Sequence, residues 1–222
     1  MTQRTDVVVI GGGQSGLAAG YHLRRLGVEH VILDAQATPG GAWQHTWSSP
    51  RLFSPAACSS LPGRLMPVQA GEVYPDAAHV VEYLADYEKR YELPVQHGGW
   101  VESVHRDGPF LRVRAARDAG LLHAKPMFTR LTTTGVEWAD GTTSQADAVI
   151  WCTGFRPALA HFASLRLRGA RGHIATAGTR AVDEPRLHLL GHGDWTGPAS
   201  ATLIGVGRPA RDAAREIASR LS

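Results

Sequence analysis

Val7-Val8-Val9-Ile10 is an unbroken apolar run of strand length. The stretch that follows Gly16, Leu17-Ala18-Ala19-Gly20-Tyr21-His22-Leu23-Arg24-Arg25, continues as a helix that Gly27 closes. A second strand, His30-Val31-Ile32-Leu33, ends on Asp34. From Gln44 to Pro75 the pattern lapses into Pro, Ser and Gly with no helical or strand period, and a segment of that length in a compact domain points to a functional use. Helical spacing returns at Val80, Val81, Leu84, Tyr87 and Tyr91, with Asp76 as the capping residue and the helix running to Glu92. Val95 to His105 and Phe110 to Val113 predict strands joined by a turn at Asp107-Gly108, and 115–119 predicts one helical turn ending at Gly120. Phe128 to Leu131 and Gly135 to Trp138 predict a hairpin, with a further turn at Asp140-Gly141. Asp147 to Trp151 and Arg186 to Leu190 read as buried strands of the parallel type. From Ser200 onward Leu203, Val206, Ala210, Ala213, Ala214, Ile217 and Leu221 predict a last helix, kinked or restarted at Pro209. The fold expected is α/β: a parallel sheet from strands near 6–10, 30–34, 147–151 and 186–190, with a small antiparallel β-meander over about 109–138 packed on it.

The first strand runs into Gly11-x-Gly13-x-x-Gly16, and this order carries chemistry. Gly11 permits a tight turn, Gly13 lets a pyrophosphate approach the backbone, and Gly16 lets helix pack on strand. The exposed amides of the helix start face phosphate charge. Asp34, 18 residues beyond Gly16, stands where an acid accepts the hydroxyls of an adenosine ribose. The bland alternatives are a strand-end turn residue at Asp34 and plain core aromatics at Trp43 and Trp47. Gly13-Gln14-Ser15-Gly16-Leu17 fails as a hydrolase nucleophile elbow at Leu17.

Composition narrows the classes further. Forty-three per cent of residues are hydrophobic, as in an ordinary globular protein, and 222 residues suffice for a sizeable core. The formal charge of +3 rests on arginine, since Lys89 and Lys125 are the only lysines. The densest basic run, Arg166-Leu-Arg168-Gly-Ala-Arg171, has no interleaved aromatics and reads as solvated surface, not as a nucleic-acid site. Cys58 and Cys152 form neither a redox pair nor a disulfide framework. His188 and His192 straddle a strand end without a carboxylate or thiol cluster, so no metal site is expected. No apolar run approaches the roughly 20 residues of a membrane span. The early first strand leaves no room for a cleavable signal, and the expected location is cytoplasmic.

With the fingerprint, Gly40-Gly41-Ala42-Trp43, Trp151-Cys-Thr-Gly154 and Gly193-Asp194 in view, the chain resembles the flavin-containing monooxygenases, in particular the small bacterial branch that oxygenates sulfides and some ketones. Tyr74-Pro75 ahead of the 76–92 helix is similar to the family pattern as well. The resemblance implies a Rossmann-like FAD-binding domain. It places FAD contacts at Gly11, Gly13, Gln14, Ser15, Gly16, Asp34, Ala35, Gly41, Ala42, Trp43, Phe53, Ser54, Val104, Thr153, Gly154, Asp194, Ala201, Thr202 and Leu203. In the family the glycine-glycine-x-tryptophan segment runs beside the flavin pyrophosphate and ribityl chain, and the glycine-aspartate pair contacts the ribityl region. The start of the last helix, Ala199 to Leu203 here, aims its amides at the pyrimidine edge of the flavin.

Two departures stand out. Family members carry a second Gly-x-Gly-x-x-Gly for NADP in an inserted domain, and none follows residue 16 here; the hinge that leads into that domain is also gone, while Cys152-Thr153-Gly154 matches the return hinge. The resemblance therefore implies one FAD domain over 1–222, in segments 1–113 and 121–222 joined at 114–120, with the NADP domain and its NADPH site missing. Phe53 occupies the flavin-face position where the family has an asparagine, and its side chain offers no hydrogen bond. The expected function is flavin redox chemistry on a small molecule such as a sulfide or ketone, without efficient NADPH use. The alternatives are a non-catalytic FAD or nucleotide-binding module or folding scaffold, and a fingerprint that holds NAD. No nucleic-acid or membrane partner is expected, and the surface left by the missing domain favours self-association.

Overall fold

A computed structural model of the chain describes residues 5–46, 49–117, 130–132, 135–137, 143–145, 158–169 and 172–221. They belong to two units, Met1–Asp118 with Leu159–Ser222, and Ala119–Ala158. In the first unit β1 (Val7–Ile10), β2 (His30–Asp34) and β3 (Val95–His97) form a parallel sheet in that order. Between β1 and β2 lies α1 (Gln14–Arg25) and before β3 lies α2 (Ala77–Arg90), the connections a parallel pair requires. Val7 pairs with His30 and Ile10 with Leu33, so β1 and β2 end level at Gly11 and Asp34.

Small residues let α1 lie close to the sheet. A side chain at Gly20 would come within 2.7 Å of Ile32 Cδ1. Leu17, Val80, Leu84 and Tyr87 pack into the main core, Leu23 is buried on α1, and Ala210, Ala213 and Ala214 of α3 (Gly207–Leu221) turn their small faces inward. Asp76 caps α2 by accepting the His79 amide proton at 2.8 Å, as the sequence predicts. The irregular segment before α2 is fastened to it by tyrosines: Tyr83 accepts from the Leu61 amide and donates to the Arg64 carbonyl, and Tyr87 donates to the Pro62 carbonyl at 2.6 Å. Burial pushes the Tyr83 phenol up to about 12, and Tyr87 further in the same direction.

The remaining elements correct several expectations. Gly98, at φ 72°, breaks the stretch read as one strand from Val95 to His105. The first part is β3 of the parallel sheet, and the second is β4 (Gly99–Asp107), which forms a hairpin with β5 (Phe110–Arg117). β5 takes in 115–117, so the helical turn predicted there is extended strand. Arg186 to Leu190 is not a parallel strand: Glu184 and Pro185 turn the chain back, and the segment runs antiparallel beside β10 (Arg180–Ala181), itself paired with β9 (Thr176–Ala177). The contacts are local, from the Ala181 amide to the Leu187 carbonyl and from the Leu189 amide to the Thr179 carbonyl. Residues 198–206 form turns, and α3 begins only at Gly207, which puts Pro209 in its first turn, where a missing donor costs nothing. A second core joins Val101 and Val104 of β4 with Phe162, Leu165, Ile174, Ala181 and Leu189.

The second unit contains an antiparallel sheet of β6 (Arg130–Thr132), β7 (Gly135–Glu137) and β8 (Thr143–Gln145), in which Leu131 faces Val136 and Val136 faces Ser144 across the ladders. Among the described residues the antiparallel strands thus fall into the β4–β5 hairpin, the β9–β10 pair and this sheet, rather than one continuous meander. The strand expected at 147–151 lies outside the described residues. No described helix is long and apolar enough to cross a membrane.

Candidate cofactor site

The fingerprint glycines occupy three different environments. Gly11, at φ 101°, turns the chain out of β1 and donates to the Leu33 carbonyl at 2.8 Å. A Cβ on Gly16 would collide with the Gly11 carbonyl oxygen, so helix and loop meet backbone to backbone. A Cβ on Gly13 would stand in ordinary contact with Gly41 Cα at 3.8 Å, without a clash. No side chain caps α1 and no acid sits in its first turn, so the positive end of the helix is free to meet an anion.

Three distant segments close around this loop. Gly41, at φ 55°, lies so near Gly13 that a Cβ would stand 2.7 Å from Gly13 Cα. Gln14 accepts from Trp43 Nε1 at 3.1 Å and donates to the Ala201 carbonyl at 2.7 Å. Gly191, at φ 80°, leaves no room for a side chain beside Ser15. The glycine loop, the 41–43 turn, and the 191 and 199–203 turns are therefore gathered at one place, through residues that, Gly191 apart, the sequence reading had assigned to cofactor contact.

At the end of β2, Asp34 is 4% exposed and its Oδ2 has no hydrogen-bond partner. That oxygen lies against Gly12, where a Cβ would come within 2.9 Å of it, and 3.4 Å from His97 Nδ1. A buried carboxylate with an unsatisfied oxygen, beside a glycine loop that leads into an uncapped helix start, is the donor and acceptor set that a dinucleotide diphosphate and ribose need. These residues fit FAD. Gly12, Gly191 and His97 were missed by the sequence reading. Three successive glycines marked the first and the Gly-x-Gly after 190 marked the second, but nothing in the spacing marked His97.

Other predicted residues sit in varied surroundings. Ala35, Ala42, Ala201 and Thr202 are exposed. Thr202 Oγ1 accepts from the Gly205 amide and donates to the Ala199 carbonyl, which shapes the turn that stands in place of a helix start. Leu203 is packed in the main core and Val104 in the second, where its carbonyl accepts from Ser164 Oγ. Phe53 is fully exposed, while Ser54 shares a 2.7 Å hydrogen bond with Ser59. Asp194 is exposed at the start of a short turn, between Gly193 at φ 67° and Gly197 at φ 128°. Burial holds the neighbouring His192 below the usual histidine range. Thr153 and Gly154 lie outside the described residues, as do Trp47 and Cys152. No group of side chains among the described residues is placed to hold a metal ion.

A parallel sheet ending in a glycine loop and a buried acid defines a dinucleotide-binding α/β protein. Residues 6–132 match the family described as FAD dependent oxidoreductase, and the chain belongs to that family. A flavin-containing monooxygenase structure from Stenotrophomonas maltophilia aligns over 100% of both chains, with 36% identity and a TM-score of 0.83. An uncharacterized CzcO-like oxidoreductase from Geobacillus kaustophilus is 33% identical over 113 residues, which is 51% of this chain and 32% of that protein. Cyclopentanone 1,2-monooxygenase from Comamonas is 32% identical over 97 residues, 42% of this chain and 18% of the relative. The chain thus matches about a third or less of the length of these curated relatives.

Proposed function

We propose that this chain holds FAD non-covalently and supports flavin redox chemistry on a small molecule such as a sulfide or ketone, without efficient use of NADPH. The observation that carries the reading is the convergence on the glycine loop of Gly41, Trp43 and Ala201, two of them through Gln14, next to a buried acid with an unsatisfied oxygen. In this reading the α1 amides and Gly11, Gly13, Ser15 and Gly16 meet the diphosphate, and Asp34 meets the adenosine ribose. Gly41, Ala42 and Trp43 line the ribityl side with Asp194, and the turn at 201–203 meets the flavin ring. Bound FAD would supply the electron transfer; the protein's part is orientation and local charge. Phe53, fully exposed here, would bring an apolar side chain with no hydrogen-bond donor to the flavin face.

The reading is tested by purifying the protein, releasing its cofactor with acid and separating the product by reverse-phase chromatography. FAD in near-stoichiometric amount is expected; NAD, or no nucleotide, would overturn the reading. Hydride transfer needs a nicotinamide held at attack distance, and such positioning is worth many orders of magnitude in rate. With no second glycine fingerprint after residue 16, anaerobic mixing with NADPH should bleach the flavin slowly and without saturation. Fast, saturable bleaching would show a working nicotinamide site. Phe53, Leu65, Val68, Val73 and Tyr74 are exposed within one segment, which supports self-association through it, checked by light scattering across a concentration series.

A further inference from the structure

Asp34 is joined to a second buried carboxylate through one histidine. β2 and β3 run parallel with Asp34 and His97 opposite each other in the ladder. His97 Nδ1 stands 3.4 Å from Asp34 Oδ2, and its Nε2 lies 3.0 Å from Glu88 Oε1 on α2. All three side chains are largely shielded, at 19% exposure for His97, 16% for Glu88 and 6% for Asp34. Asp34 Oδ2, His97 Nδ1 and Glu88 Oε2 are each left without a hydrogen-bond partner. A row of buried polar atoms stopping just short of full pairing is costly, and it completes itself when one end is drawn into place by a ligand.

We propose that His97 is a positioning residue for cofactor binding: it presents the Asp34 carboxylate to the adenosine ribose and anchors it to α2 through Glu88. The inference rests on the FAD reading above. Ribose hydroxyls donating to Asp34 fix the carboxylate plane, and His97 Nδ1 is the donor within reach of the inner oxygen, Oδ2. Gly12 flanks that carboxylate closely, since a Cβ there would stand 2.9 Å from Oδ2. The ring is itself oriented by the Glu88 contact, in the way that an outer partner orients a ligating histidine elsewhere. The contact to Asp34, not the one to Glu88, is the one that reaches the cofactor.

Amide substitutions separate these two contacts. His97→Asn keeps a donor where Nδ1 stood, facing Asp34; His97→Gln reaches toward Glu88 and withdraws the inner donor. FAD affinity is read by flavin fluorescence quenching on apo-protein, with thermal unfolding of each apo variant measured alongside. His97→Ala and His97→Gln should weaken FAD roughly tenfold, as loss of one hydrogen bond to a charged group implies, while His97→Asn stays within about threefold of wild type. In an Asp34→Ala background, His97→Ala should add little, because its effect passes through the missing carboxylate. If His97→Ala weakens FAD equally with and without Asp34, or if Asn fails to rescue while Gln does, the positioning role is wrong although FAD binding stands. A wild-type protein that takes up no FAD would overturn both.

Discussion

At the scale of single residues, the glycine loop divides its glycines between fold and ligand. Gly13 has φ −77°, and a Cβ there would meet only Gly41 Cα at an ordinary contact of 3.8 Å, so the backbone tolerates alanine there. Gly16 does not, because its Cβ would meet the Gly11 carbonyl. Gly13→Ala should therefore leave stability within about 0.5 kcal/mol of wild type while reducing FAD binding, since a dinucleotide pyrophosphate needs close approach to the backbone at this glycine. Gly16→Ala should lower stability and binding together. Urea unfolding and a flavin titration on the same two variants distinguish these outcomes, and a Gly13→Ala protein with full FAD affinity would remove the loop from the site. Asp34→Ala should cost about 1.5–3 kcal/mol of FAD binding, the scale of hydrogen bonds to a charged group. Gly11, Gly13, Gly16 and Asp34 were legible because a tight turn, a close approach and an acid at a strand end each demand one residue type at one spacing. His97 was not, because its role depends on the ladder between two strands separated by a helix and a long loop. Gln14 was legible as part of the loop, but its bond to Ala201, 187 positions away, was not.

Among the elements, the β4–β5 hairpin depends on one buried acid that no pattern announced. Glu184 is 2% exposed. It accepts from Arg106 Nε at 2.9 Å and from Arg186 at 2.7 and 2.8 Å. The same guanidiniums reach the carbonyls of Leu165, Gly108 and Phe110, so one carboxylate fixes the hairpin turn against the 159–165 and 182–186 segments. Glu184→Gln would leave two arginines facing an amide and should destabilise by about 2–3 kcal/mol. By contrast Glu92→Gln, at the exposed pair with Arg24, should stay within about 0.5 kcal/mol. Urea midpoints at constant slope would compare the two, and equal effects would remove the hairpin's dependence on Glu184. The elements themselves were legible where one period ran uninterrupted, as in α1 and α2. The pattern failed where an apolar run served a local turn: Leu187 and Leu189 alternate inward like a sheet strand, yet Glu184 and Pro185 send them back along β10. It failed again at Gly98, where a single left-handed residue divides the stretch read as one strand between two sheets.

For the molecule as a whole, these buried ionisable groups set how it meets acid. His22, His161, His188 and His192 are all held below the usual histidine value of 6.5, in each case mainly by burial. His22 Nε2 and His188 Nε2 have no hydrogen-bond partner, and burial outweighs what the backbone at Gly207 offers His22 and what Glu216 offers His188. The unfolded chain takes up protons at these sites as pH falls below 6.5, while the folded chain resists until its lower values are reached. Their stabilising effect is therefore complete above 6.5 and declines below it. Glu184 acts in a second, lower window. The Arg186 hydrogen bonds foremost, together with Arg106, hold its carboxyl below the ordinary 4.5, so its contribution is full above 4.5 and is lost as pH falls through the lowered native value. Acid unfolding of the apo-protein should thus begin as a gentle loss of urea midpoint between pH 7 and 5.5 and steepen below pH 4.5. His188→Asn should flatten the first phase, because an amide that can keep a bond to Thr179 takes up no proton. Glu184→Gln should flatten the second and leave the first intact. A urea midpoint that stays level from pH 7.5 to 5.5 in wild type, measured at fixed ionic strength, would show that the histidines pay no burial cost in the folded protein.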